Sequence, residues 1–155
     1  MKYIVLSLLF CPVLCIGQEV LNLSLDQAIA LLPPHTTGYF ATIDGDKPDL
    51  RGWQFQAYEK GNFIFCTSNQ KSVFKQIQKN ANVAFACAAG EYHFRINGKV
   101  TIVSPAEKKR LFQKLSESVQ KLYKSWDNDN LVIFTVSGGN LRVAKGFAPY
   151  QSIKY

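Results

Sequence analysis

Residues 38–100 read GYFATIDGDKPDLRGWQFQAYEKGNFIFCTSNQKSVFKQIQKNANVAFACAAGEYHFRINGKV, and the succession of strand, turn and helix signals in this stretch decides the fold. The run Thr37–Ile43 is rich in β-branched and aromatic residues and predicts a first strand. Asp44-Gly45 is a strong hairpin signal, and Pro48 keeps that turn out of a sheet interior. Leu50–Tyr58 predicts a second strand, Lys60-Gly61-Asn62 another turn, and Phe63–Thr67 a third strand. Two consecutive hairpins make an antiparallel meander, which points to a barrel or sandwich and not to a doubly wound sheet.

At Ser68 the period changes. Val73, Phe74 and Ile77 recur at helical spacing, with Lys71, Lys75 and Lys79 opposite, so the segment to Asn80 predicts an amphipathic helix. Val83–Ala89 is a continuous apolar run, expected as a strand buried on both faces. Tyr92–Val103 predicts a further strand in which Gly98 marks a bulge or a close approach.

Outside this stretch, Ser24 caps an expected helix over Leu25–Leu32 that Pro33-Pro34 ends. Ser104, Pro105 and Glu107 form a capping-box signature for a helix running to about Val119 or Tyr123. Leu131–Val136 and Asn140–Lys145 predict two last strands around a Ser137–Asn140 turn, and the tail from Gly146 reads as irregular. The expected class is mostly β with flanking helices.

A chain of 155 residues supports one domain with a well-buried core. Its formal charge of +7 favours anionic partners, but most of the lysines fall at surface spacing on two helical stretches and read as a solvated face. No nucleic-acid reader motif is present, and the lysines lack interleaved aromatics for base stacking. Lys2, the apolar run Tyr3–Ile16 and Gly17 match a secretory leader, too short and too interrupted by Pro12 for a stable membrane span. The expected organisation is therefore a signal peptide over residues 1–17 and a single domain over 18–155, exported to a periplasmic or extracellular space. An uncleaved N-terminal element packed on a cytoplasmic domain is the rival reading. Cys66 and Cys87 remain after cleavage and read as buried thiols, pairing only if their strands are neighbours. Two histidines and no Cys-x-x-Cys give no basis for a metal site.

Three short segments carry chemistry. Arg51-Gly52-Trp53-Gln54-Phe55-Gln56 begins a strand with a cation. Cys66-Thr67-Ser68, followed by Asn69-Gln70-Lys71-Ser72, sets hydroxyls at a strand end beside an ammonium and the free amides of a helix start, an arrangement that converges on a phosphate. His93 stands five positions before Gly98. Taken singly, Arg51 is an ordinary strand-end charge, Lys71 a helix-surface lysine, Thr67 and Ser68 helix caps, His93 an exposed strand residue and Trp53 a core or interface residue. Their order and spacing across about Leu25–Val143 resemble the pyridoxamine 5′-phosphate oxidase-like flavoproteins, which bind FMN in an antiparallel split β-barrel.

That resemblance implies roles. Arg51, Thr67, Ser68 and Lys71 would hold the FMN phosphate, and His93 would reach it from the other subunit of a homodimer. Gln56 stands where the vitamin B6 oxidases place a Lys and would lie nearer the flavin ring, and Cys66 replaces the usual Tyr. It implies an oxidoreductase with a small-molecule redox substrate that the sequence does not name. Gly146–Tyr155 lacks the basic residues and Trp of a true vitamin B6 oxidase. A catalytic acid or base is not identified, Tyr58, Tyr92 and His93 being the only nominees. The alternative is a non-catalytic secreted module of the same fold for flavin, haem or another planar anion, and a deazaflavin would suit the same shape as FMN.

Overall fold

The structure is a computed structural model and describes residues 20–155. The expected leader, residues 1–17 with Cys11 and Cys15, lies outside the described residues. Twelve elements follow in order: α1 (Leu25–Ala30), β1 (Thr37–Asp44), β2 (Lys47–Gln54), β3 (Ala57–Glu59), β4 (Asn62–Ser68), α2 (Ser72–Lys79), β5 (Asn82–Ala89), β6 (Tyr92–Ile102), α3 (Pro105–Phe112), α4 (Glu117–Tyr123), β7 (Leu131–Lys145) and β8 (Gln151–Lys154). Among the described residues no helix is long and apolar enough to cross a membrane.

All pairings are antiparallel, in the order β2-β1-β5-β6-β7-β4-β3, with β8 added to β7. The end strands of this path, β2 and β3, are joined by only Phe55 and Gln56. A sheet whose two edges are two residues apart in sequence must roll into a barrel. The seam is stitched by Phe55 N–H to Thr36 O (2.9 Å) and Gln56 N–H to Ile64 O (3.0 Å). The expected single strand Leu50–Tyr58 is therefore two strands on opposite edges, and the expected meander is two separate hairpins. Pro48 sits within β2 opposite Ile43, which an edge strand tolerates.

Phe40, Phe55, Phe63, Phe65, Phe85, Phe94 and Phe134 are fully buried and fill the barrel. Phe65 stacks on Phe134 with centroids 5.8 Å apart and meets Phe40 and Phe85 at 5.2 Å. Each such ring contributes about 1.5–3 kcal/mol by burial. A barrel packed this way leaves no room for a ligand inside, so any site lies outside it. A second core of Ile64, Cys66, Leu111, Phe112, Leu115, Tyr123, Leu131 and Ile133 is roofed by α3 and α4.

The strand buried on both faces is thus β4, with Phe63 and Phe65 in the barrel and Ile64 and Cys66 under the helices. The expectation for β5 is corrected: Val83 and Phe85 face inward, while Ala84, Ala86 and Ala88 are exposed. Gly38 lets β1 approach β5, since a Cβ there would press on Ala86 O and lie 2.7 Å from Cys87 Cβ. At Gly98 the β6–β7 register shifts between Asn97 and Lys99, and a Cβ would fall 2.7 Å from Ser137 O, so bulge and close approach coincide.

Three further boundaries differ from expectation. Ser137–Asn140 is not a turn: β7 runs through it as one strand of 15 residues. The tail is ordered as β8, where the Gln151 side chain donates to Leu23 O and accepts from Leu23 N–H, both at 2.8 Å. The single helix expected after Ser104 is α3 and α4, because the Ser116 N–H bonds Gln56 Oε1 (2.8 Å) and not a carbonyl one turn back. Ser104 Oγ does accept from Glu107 N–H (3.3 Å), but the Glu107 carboxylate turns to Arg110. The complete capping box is at Ser24 and Gln27.

Candidate functional site

Helix α2 packs beside β1 and β4 with Val73, Gln76 and Ile77 buried, and its two sides carry different polar chemistry. In front lies a cleft of about 200 Å³ between the ends of β2 and β4, the start of α2 and helix α4. β2 supplies Gly52, Trp53 and Gln54, β4 supplies Cys66 and Thr67, and the opposite wall is Val119, Leu122 and Tyr123. Lys71 stands at the N-cap of α2 and reaches over the Trp53 ring, its ammonium 5.8 Å from the centroid. Lys71 offers the helix no side-chain cap, so the amides of Ser72 and Val73 stay open, while that of Phe74 bonds Lys71 O (3.0 Å). Thr67 is buried, and its hydroxyl has only a long contact with Ser68 O (3.5 Å). Ser68 Oγ accepts from Gln70 N–H (3.2 Å) and shapes the turn into α2.

Gln56 also lines the cleft, yet its amide is fully used. Its Oε1 takes the Ser116 N–H, and its Nε2 donates to Gln54 O (3.2 Å) and Gln54 Oε1 (3.1 Å). Ser116 Oγ closes the set by donating to Gln54 Oε1 (2.8 Å). Gln56 therefore fixes the barrel seam to the α3–α4 junction.

Arg51 does not line the cleft. It lies on the barrel side of α2 in a closed network. Its two terminal nitrogens donate to Thr42 Oγ1 and Gln76 Oε1, each at 2.9 Å, and one pairs with Asp49. Thr42 donates to Gln76 Oε1 (2.6 Å), and Gln76 Nε2 donates to Asp49 Oδ2 (2.9 Å). The Gln76 amide, reinforced by the Arg51 guanidinium, holds the Asp49 carboxyl below the usual carboxylate range.

His93 is elsewhere again. It is exposed in a shallow depression on the outer face of β1, β5 and β6, with Tyr39, Ala86, Ala88 and Tyr150. Beside it the Arg95 guanidinium lies 4.4 Å from the Tyr150 centroid. Of the six expected ligand residues, the structure brings Gln56, Thr67 and Lys71 to one cleft. Ser68 adjoins it, Arg51 stands behind α2, and His93 lies on another face. Tyr58 packs on Phe63 (4.8 Å), and burial pushes its phenol up. Neither it nor Tyr92 lines the cleft.

Cys66 and Cys87 are free and sit on strands that are not neighbours. Burial pushes each thiol up to about 12, so both stay protonated near neutrality. Among the described residues no group of three or more His, Cys, Asp or Glu side chains could hold a metal ion. Sequence reasoning missed Val119, Leu122 and Tyr123. Their i, i+3, i+4 spacing reads as a core face, and only the tertiary position of α4 makes it a cleft wall.

A sequence profile described as pyridoxamine 5′-phosphate oxidase matches residues 25–142. No curated protein sequence matches the chain. Among solved structures, a NimC/NimA family protein from Clostridium acetobutylicum is 20% identical with a TM-score of 0.69, over 83% of this chain and 92% of that one. A pyridoxamine 5′-phosphate oxidase-related, FMN binding protein from Nostoc punctiforme is 13% identical with a TM-score of 0.57, over 81% and 90%. A heme binding protein from Mycobacterium smegmatis is 13% identical with a TM-score of 0.70, over 82% and 56%. At these identities the likeness establishes the split-barrel fold.

Proposed function

The chain belongs to the pyridoxamine 5′-phosphate oxidase family, and on that premise we propose that it is an FMN-binding oxidoreductase whose cofactor phosphate sits at the mouth of α2. The observation that carries this reading is a set of donors with little or nothing to accept them: the Lys71 ammonium, the Thr67 hydroxyl with its one long contact, and the open amides of Ser72 and Val73. A phosphate dianion accepts from all of them, and charge-assisted bonds of this kind are the strong ones. Ser68 adds a second hydroxyl at the same turn. Trp53, Val119 and Leu122 give the apolar surface that a ring system needs, with Gln56 shaping the wall nearer the ring. Arg51 serves the phosphate from behind, by locking Gln76 and hence the start of α2.

FMN, when bound, supplies hydride or electron transfer to a small-molecule redox substrate. The chain's own residues bind and orient it, since no free carboxylate or imidazole lines the cleft. The same observation favours a second reading, a non-catalytic module that carries flavin without turnover. Haem would find no imidazole of the same chain in the cleft and would depend on His93 of the partner subunit.

The reading includes a symmetric homodimer. Tyr39 and Leu50 are 62% and 64% exposed on the outer sheet face beside the exposed Ala84, Ala86 and Ala88, an apolar surface of the kind that a second copy covers. In that assembly His93 would approach the cleft of the partner. It also includes export with cleavage near Gly17, which rests on the Tyr3–Ile16 run alone. The test is the absorbance spectrum of purified protein after incubation with FMN and gel filtration. Flavin bands that co-elute with the protein support the reading, and protein that elutes colourless overturns it.

A further inference from the structure

We propose that Tyr123 contacts the ligand of this cleft, donating a hydrogen bond from its phenol to the oxyanion that Lys71 and Thr67 face, and so selects a phosphate monoester over its neutral parent alcohol. The inference deepens the flavin reading and rests on it only for the identity of the ligand body.

Tyr123 is 9% exposed and belongs to the second core with Leu111, Leu115 and Ile133, yet it also lines the cleft. Its hydroxyl has no hydrogen-bond partner among the described residues, whereas the buried Thr42, Gln56 and Gln76 are all bonded through their side chains. The hydroxyl meets solvent at the cleft and is left to water or a ligand, since the one buried side-chain atom without a partner among the described residues is Asn69 Oδ1. A donor on a largely buried side chain, unclaimed by the chain and facing the cleft, is available to something that enters it.

Its placement is rigid. α4 ends at Tyr123 because Lys124 turns to φ +66°, and the Tyr123 carbonyl accepts from Ser125 N–H and Asn128 Nδ2, both at 2.8 Å. Burial, and then the neighbouring Cys66, push the phenol above its ordinary value, so it remains a donor at neutral pH. No carboxylate lines the cleft to compete for it. The class of ligand follows from the donor set: ammonium, hydroxyl, amide and phenol all give hydrogen bonds, and an oxyanion takes them.

The experiment compares wild type, Tyr123→Phe and Lys71→Ala, titrated with FMN and with riboflavin by fluorescence quenching. Thermal shift with inorganic phosphate runs alongside. Tyr123→Phe should weaken FMN by about tenfold and leave riboflavin unchanged. It should also lose most of the phosphate-induced shift. Its unliganded melting temperature should stay close to that of wild type. If FMN and phosphate act on Tyr123→Phe as on wild type while Lys71→Ala loses its preference for FMN, Tyr123 is a packing residue and the inference falls with the flavin reading intact. If wild type ignores FMN but is stabilised by phosphate and Tyr123→Phe is not, the inference stands and the flavin reading falls. A wild type indifferent to all three ligands overturns both.

Discussion

The two sides of α2 use similar side chains to opposite ends. Behind the helix, Arg51, Thr42, Gln76 and Asp49 form a network in which each donor meets an acceptor inside the chain. In front, Lys71, Thr67 and Tyr123 hold donors with little or nothing to accept them. A closed network adds rigidity and has no capacity left for a ligand, while an open one keeps its donors for water or a ligand. The contrast recurs beyond α2. In the trough between β3 and α3, Arg110 is held by Glu59 (2.6 Å) and Glu107 (2.8 Å), so its charge is already matched inside the chain. Binding potential follows unmatched groups and not the number of charged ones.

The comparison breaks most visibly at Arg51. Arg51→Ala removes the guanidinium's bonds to the buried Thr42 and Gln76, which keep their bond to each other, at a cost of about 1–3 kcal/mol in all. Urea denaturation should show a clear loss of stability, and FMN and riboflavin should weaken together. A loss confined to FMN, with stability unchanged, would put Arg51 in the phosphate contact itself. A charge on the outer face comes next. Leu50→Asp should convert a dimer to monomer in sedimentation equilibrium and weaken FMN, because His93 would no longer approach from the partner. An equal monomer fraction in both proteins would contradict that interface.

A smaller effect comes from the thiol beneath the cleft. In the unfolded chain Cys66 ionises near 9.0, whereas in the folded chain burial raises it to about 12. The unfolded state therefore releases the proton first, and stability present below pH 9 should decline as pH rises from there towards 12. Cys66→Ala should flatten that decline at the cost of some packing. The smallest effect is expected one turn along the helix from Lys71: Lys75→Ala should change FMN affinity and stability within measurement error, as for any solvated lysine.

Much of this was legible in the chain and some was not, for identifiable reasons. The Asp44-Gly45 hairpin, the change of period at Ser68 and the Gly98 bulge are local signals, and they survive folding. The break at Phe55-Gln56 was hidden because each residue continues a β-like run, and only the pairing of β3 with β4 moves Ala57 to the far edge. The split between α3 and α4 depends on a bond across 60 residues, from Ser116 to Gln56. Arg51 looks identical in sequence whether its partner is a phosphate or a Gln on the next helix. Tyr123 follows the core period of its helix, so nothing local marks its hydroxyl as unmatched. Position along the chain points to the turn from Thr67 to Lys71, and only the three-dimensional pairing of donors sets Lys71 and Thr67 apart from Arg51 and Gln56.

The most direct test of the account is the preference for FMN over riboflavin, measured as the ratio of dissociation constants in wild type and in Lys71→Ala. The open side of α2 predicts a large ratio in wild type that shrinks by about tenfold to a hundredfold in the variant, with riboflavin affinity and stability held. A wild type that binds both equally, or a Lys71→Ala variant that keeps the full preference, would contradict a phosphate site at this helix.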